Sequence, residues 1–315
     1  VTPPGVVAGR GIHAGAAGML FASPLDACNP PTGSVGGITA DSKSAKKPYP
    51  GGIPAVGISK ELAARLRRIA TGDSRDVTLS ITCENKELTS RNIEATIGNN
   101  DGQEILVTAH IDAHDITEGA VDNGVGCALV VEIGRILQQL DDELETDIWL
   151  VVFGSEEIGL LGAHHWATTH DLDTVKAIIN LDALGRSRTV NVNSHQFSGL
   201  KDVFADVRSE LNVPIEIDNE VTAHADQWEF VSRGVPGVLA SSATTARDRG
   251  WGHTHADTLD KVDIRDIRDQ ALVLTTAVAA LADQDRTTER KSIDQICSEI
   301  DEANETEMKL VGRWP

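Results

Sequence analysis

The chain's 315 residues are enough for one large domain or two smaller ones, and a 40% hydrophobic content supports a buried core. A net charge of −20, from 48 acidic against 28 basic side chains, argues against nucleic acid and anionic membrane as partners, because both would be repelled. No apolar run is long enough to span a bilayer.

Residues 1–88 read as one small, strand-rich module. It holds an apolar stretch over 14–22, a Pro/Gly/Ser/Lys-rich loop over 29–52, a short apolar run at 53–58, an amphipathic helix over 60–70 and a strand over 77–82. From residue 92 the pattern becomes an alternation of strands and helices. Strands are expected at 105–109, 147–153, 176–181, 189–192 and 237–241, and helices at 123–140, 159–168, 199–211, 225–233 and 264–282. Apolar, β-branched strands alternating with helices predict an α/β domain over 89–283, its mixed, mostly parallel sheet sandwiched by helices. In such sheets chemistry sits beyond the carboxyl ends of the strands. Residues 284–315 are highly charged, with a helical stretch over 292–310, and read as a C-terminal helical extension with little apolar face.

Three further features bound the function. The acidity, carried with only 3% aromatics, suits a protein kept soluble in concentrated salt, and an ordinary acidic protein accounts for it equally. The chain opens on Val1 with no leader-like segment, so a processed or truncated chain is expected, and the cytoplasm is favoured over secretion. The four cysteines form no zinc-ribbon pair: Cys127 lies in an apolar helical run and reads as a buried thiol, and a Cys28–Cys83 disulfide stays open. Any metal centre must therefore draw on histidines and carboxylates.

Four polar clusters fall where expected strands end. They are His110-Ile111-Asp112 with Asp122-Asn123-Gly124 soon after, Ser155-Glu156-Glu157, Asn180-Leu181-Asp182, and His253-Thr254-His255-Ala256-Asp257-Thr258. Singly, each has an ordinary explanation. Asp122 suits a helix N-cap, Glu156 and Glu157 suit the first turn of a helix, and Asp182 suits a turn. Together they bring imidazoles and carboxylates to one edge of one sheet, the donor mix that suits paired zinc ions sharing a bridging carboxylate. Strand–helix alternation alone also permits nucleotide binding, but neither G-x-G-x-x-G nor a P-loop is present.

The order and wording of these clusters resemble peptidase family M28, whose pattern runs H-x-D, D-[DN]-G-x-G, E-E-x-G-L-x-G, N-x-D and H-T-x-x-D-T. The chain reads His110-Ile111-Asp112, Asp122-Asn123-Gly124-Val125-Gly126, Glu156-Glu157-Ile158-Gly159-Leu160-Leu161-Gly162, Asn180-Leu181-Asp182 and His253 to Thr258, with Asp226-Gln227-Trp228-Glu229-Phe230 as a further match. The resemblance covers about residues 92–283 and implies a zinc-exopeptidase (phosphorylase/hydrolase-like) fold acting on peptides. It implies two zinc ions, one held by His110 and Asp182, the other by Glu157 and His253, with Asp122 bridging. It implies Glu156 as general base toward a metal-bound hydroxide, and Asp112 as the group that orients His110 by accepting its other ring N–H.

His255 is read as a bystander, and His114, Asp115 and His224 as solvated loop residues. The oxyanion donor stays open between the metals, His255 and Trp251, because Tyr49 is the single tyrosine and lies in the N-terminal module. That module resembles a protease-associated domain through Gly15 to Phe21 and Ile53 to Ser59, more loosely. The implied activity is removal of N-terminal residues from peptides. Alternatives are a dipeptidase or carboxypeptidase, with Arg247 and Arg249 gripping a substrate carboxylate, and a binding protein of the same fold. The oligomeric state is not legible.

Overall fold

A computed structural model describes residues 15–23, 29–32, 54–71, 76–82, 86–98, 102–243, 251–283, 285–311 and 314–315. Cys28, Cys83, Tyr49, Arg247 and Arg249 lie outside these residues.

In the N-terminal module β1 (Met19–Ala22) pairs in parallel with β2 (Ala55–Ile58), and helix α1 (Lys60–Ala70) follows. Ser59 caps α1 by accepting the N–H of Leu62 at 3.2 Å, and Ala63 is its buried contact. The strand expected at 77–82 does not form. Val77 and Ile81 are exposed and Leu79 is only partly covered, so its apolar face is left largely unburied, and it pairs with no strand among the described residues.

The rest of the molecule is built on a seven-stranded sheet in the order β3-β5-β4-β6-β9-β7-β8. These strands are β3 (Ile93–Ile97), β4 (Glu104–His110), β5 (Asp147–Phe153), β6 (Val175–Leu181), β7 (Val190–Asn193), β8 (Ile215–Asp218) and β9 (Gly237–Ser242). The four central strands, β5, β4, β6 and β9, are mutually parallel. β3 runs antiparallel on one side, and β7, itself parallel to β8, runs antiparallel on the other.

Side-chain alternation sends each strand's apolar residues to two faces. Ile105, Val107 and Ala109 of β4 enter the larger core, and Leu106 enters a smaller one with Phe153, Trp166 and Phe230. An extra residue in β6 shifts its register between Glu104 and Ile105. Val175 and Ile178, an odd spacing apart, therefore share the smaller core.

Helix α2 (Val125–Leu137) lays Val125, Leu129, Ile133 and Leu137, four residues apart, on the larger face. Its glycines permit close approach: a Cβ at Gly126 would meet Asn123 Oδ1 at 2.1 Å, and one at Gly134 would meet Leu150 Cδ1 at 2.2 Å. Helix α3 (Leu161–Thr169) covers the opposite face through Ala163, Trp166 and Ala167. Helices α4 (Ser198–Leu211) and α6 (Ile264–Ala282) join α2 on the larger face. The helix expected at 225–233 is reduced to one turn, α5 (Trp228–Val231).

The C-terminal extension forms two helices, α7 (Ile293–Glu299) and α8 (Glu302–Val311), rather than one. Ile296, Ile300 and Met308 are buried in the main core, which corrects the expectation of little apolar face. The segment leading into α7 is stitched to the domain as well: the N–H of Lys291 donates to Gly234 O at 3.1 Å, and Thr288 Oγ1 donates to Lys176 O at 2.7 Å.

The chain passes from β4 through α2 to β5, then through α3 to β6 on the other side of β4. This reversal opens a crevice beyond the carboxyl end of β4, the place where open α/β sheets bind ligands.

Candidate metal centre

His110 is the last residue of β4 and is 1% exposed. Its Nδ1 lies 2.9 Å from the carbonyl oxygen of Asp112. A carbonyl can only accept, so Nδ1 carries the proton and Nε2 presents a lone pair. Nε2 faces Asp122 Oδ1 at 3.2 Å and Asp182 Oδ1 at 3.6 Å. The orienting group is thus the backbone carbonyl of Asp112, whereas its carboxylate stands 3.7 Å from Nδ1. That carboxylate accepts the N–H groups of Glu156 at 3.0 Å and Glu157 at 3.2 Å, fixing the loop after β5.

Asp122 lies in a π-type turn (Ala120–Gly124) ahead of α2, and its peptide bond to Asn123 is cis. Gly119 enters the turn at φ 63°, where a Cβ would come within 2.4 Å of Ala113 Cβ. Asp122 divides its two oxygens: Oδ1 faces His110 as above, and Oδ2 lies 3.2 Å from His253 Nε2. His253 sits at φ 58° in the loop after β9, and its Nε2 is 3.4 Å from Glu157 Oε2. The N–H of Thr32, from the N-terminal module, donates to the His253 carbonyl at 2.7 Å.

The result is two adjoining sets of donor atoms. His110, Asp122 and Asp182 form one, and Glu157, His253 and His114 form the other, the atoms of each lying within 4.8 Å of one another. Two atoms each about 2 Å from a tetrahedral zinc stand roughly 3.3 Å apart. The separations of 3.2, 3.6, 3.2 and 3.4 Å fit that geometry. Imidazole nitrogens with three carboxylates also fit a divalent, borderline-soft ion. The Cys127 thiol is engaged elsewhere, donating to His110 O at 3.1 Å.

The electrostatics follow from crowding these groups in a buried place. Burial pushes the Glu156 carboxyl well above its usual range; His110 opposes that, while Asp226, Asp182 and Glu157 add to it. Burial would also raise Asp122, but His110 and His253 outweigh it and hold the group well below the carboxylate range. Burial lowers His253, and Asp122 and Glu157 more than reverse this, to about 9.

All seven residues read from the sequence as ligands, base or orienting group meet in this crevice. His255 is exposed and joins neither set among the described residues, and Asp115 and His224 are exposed too. His114 departs from expectation: its side chain is 10% exposed and points into the second set, not into solvent. Its signal was its position, two residues past Asp112 on the loop that leaves β4. Two further residues were quoted within motifs without a role. Asp257 carries the turn that holds Asp122, with Oδ1 accepting from Val121 N and Oδ2 from Asp122 N. Asp226 is fully buried, and burial together with nearby carboxylates lifts it to about 8 against the pull of His110. Trp251 takes the ammonium of Lys261 over its ring at 5.6 Å.

A mostly parallel sheet whose switch-point crevice gathers two carboxylate–imidazole sets defines an α/β fold with a candidate metal centre at the place where such sheets bind ligands. Residues 92–278, more than half of the chain, match Peptidase family M28, and the chain belongs to that family. Aminopeptidase YwaD of Bacillus subtilis is 32% identical over 145 residues, 43% of this chain and 30% of that protein. The probable lipoprotein aminopeptidase LpqL of Mycobacterium tuberculosis is 26% identical over 250 residues, 67% of this chain and 48% of that protein. The chain thus matches less than half the length of either relative. The solved structure of BSAP, a zinc aminopeptidase from Bacillus subtilis, superposes with a TM-score of 0.66 at 20% identity, covering 96% of this chain and 72% of that one.

Proposed function

We propose that the protein is a two-zinc exopeptidase that removes N-terminal residues from peptides. The observation that carries this reading is the division of Asp122, one oxygen toward His110 and the other toward His253, each at 3.2 Å. A carboxylate so placed could serve two ions at once, one of which would be held with His110 and Asp182 and the other with Glu157 and His253. That YwaD and LpqL are named as aminopeptidases and BSAP as a zinc aminopeptidase supports the aminopeptidase reading and the choice of zinc.

Bound zinc supplies a water with a pKa near 7 and a Lewis acid for the scissile carbonyl. Glu156 takes a proton from the attacking water and returns it to the leaving amine nitrogen. Its buried place next to Glu157 and close to His110 and Asp182 suits it to that task. Asp112 keeps Glu156 and Glu157 in place through their N–H groups.

The test combines elemental analysis with hydrolysis of a leucine anilide and of N-blocked and C-blocked dipeptides, for wild type and Glu156→Gln. Two zinc per chain in both proteins are expected, with kcat reduced about 10²- to 10⁴-fold in the variant and cleavage requiring a free amine. Folded wild-type protein that binds no metal, or cleavage that requires a free carboxylate instead, overturns the reading.

A further inference from the structure

Resting on the two-zinc reading above, we infer that His114 is itself a ligand of the second ion, alongside Glu157, His253 and the shared Asp122. The residues stand as follows. His114 leaves β4 on the same loop as His110 and Asp112, and its side chain is nine-tenths buried, at 10% exposure. Its Nε2 lies 2.8 Å from Glu157 Oε2, yet it is buried and makes no hydrogen bond among the described residues. A nitrogen this close to a carboxylate oxygen without the direction of a hydrogen bond is aimed past it. The imidazole of His253 stands edge-on to that of His114, with centroids 4.5 Å apart and planes at 76°. The Nε2 atoms of His114 and His253 lie 2.8 and 3.4 Å from the same Glu157 oxygen, and a nitrogen of each ring and a Glu157 oxygen lie within 4.8 Å of one another.

Donors that face a common point rather than each other are arranged for a cation. Leaving a buried ring nitrogen without a hydrogen bond is costly, and a metal bond removes that cost. The loop is held to deliver the ring: Thr117 N donates to the His114 carbonyl at 3.1 Å, and Thr117 Oγ1 donates to Asp257 O at 2.9 Å. The second site then holds two imidazoles where the first holds one, which favours zinc or cobalt over magnesium there.

The test is titration of the metal-stripped full chain with Co²⁺, read by competition with a chelator and by the visible absorption of bound cobalt. Wild type, His114→Phe and His114→Asn are compared. Phenylalanine keeps the edge contact with His253 and removes the nitrogen; asparagine serves if phenylalanine prevents folding, as judged by circular dichroism. Wild type is expected to bind two ions. The variants should keep the first and bind the second at least about 10-fold more weakly, with the absorption change confined to the second equivalent. A folded variant that takes the second cobalt with wild-type affinity and an unchanged spectrum overturns the role of His114 and leaves the two-metal reading standing. Wild type that binds fewer than two ions overturns that reading itself, and the inference with it.

Discussion

Asp257 holds Asp122 by its backbone: Oδ1 accepts the N–H of Val121 at 2.9 Å and Oδ2 accepts the N–H of Asp122 itself at 3.0 Å. The residue that would bridge two metals is therefore positioned from the loop that also carries His253. Asp257→Asn turns one acceptor into a donor facing an N–H. The expected result is a loss of about 1–3 kcal/mol of stability and metal affinity lowered about 10- to 100-fold. Urea unfolding and elemental analysis after dialysis check both. Unchanged metal content and stability would remove Asp257 from the support of the site.

Beneath the crevice a buried chain of polar groups crosses the sheet. Thr108 Oγ1 donates to Asn180 Oδ1 at 2.8 Å, Asn180 Nδ2 donates to Gln227 Oε1 at 3.1 Å, and Gln227 Nε2 meets His195 Nε2 at 3.4 Å. Burial lowers His195 from 6.5 to about 4, against the carbonyls of Gly237, Thr222 and Asn193, which favour its charged form. Between those values the unfolded chain binds a proton that the folded one refuses. His195 thus contributes stability that is complete above pH 6.5 and lost as pH falls toward about 4. The loss is about 3 kcal/mol over that window. Urea unfolding of metal-free wild type and His195→Gln across it should show the wild type falling faster by that amount. Parallel curves would mean that the ring is not held neutral.

Much of this was legible in the sequence because it depends on local pattern. β5 and α6 match their expected bounds, and His110, Glu156 with Glu157, and Asp182 lie at or just past the ends of β4, β5 and β6, while His253 comes eleven residues after β9 ends. What escaped depends on contacts between distant segments. β3 alternates apolar and polar residues over five positions, yet four of them are exposed and only Ile97 is buried, so burial adds little and the strand depends on its pairing with β5. The run at 77–82 has the composition of a strand but pairs with no strand among the described residues. Asp112 was read as a carboxylate acting on His110, yet the two N–H groups after β5 claim that carboxylate and leave its backbone carbonyl to the ring. A sequence shows which residues share a loop but not which atom each turns toward its neighbour.

Metal removal should weaken the whole domain. Without cations, Asp122, Asp182, Glu157 and Glu156 crowd one crevice, and binding that favours the folded state stabilises it by mass action. Zinc at 100 times its dissociation constant is expected to add about 2.7 kcal/mol per site, visible as a rise in thermal midpoint over the chelated protein. Asp122→Asn should abolish most of that rise, since its two oxygens serve both donor sets. A midpoint that does not respond to zinc in the wild type would argue that the crevice holds protons rather than metal.

The C-terminal helices provide the last prediction. Ile296 of α7 is fully buried and belongs to the same apolar cluster as Leu129 and Ile133 of α2 and Leu274 of α6. Ile296→Ala should destabilise the whole domain by about 2–5 kcal/mol through one cooperative transition. Ile293, at the start of α7, is half exposed, and its replacement by alanine should change stability by no more than about 0.5 kcal/mol. Neither change touches a metal-site residue, so zinc content should stay at the wild-type value in both. If Ile296→Ala instead produced a separate early transition with the main unfolding unchanged, the extension would be an appendage that folds on its own terms, and its buried isoleucine would contribute nothing to the sheet beneath the site.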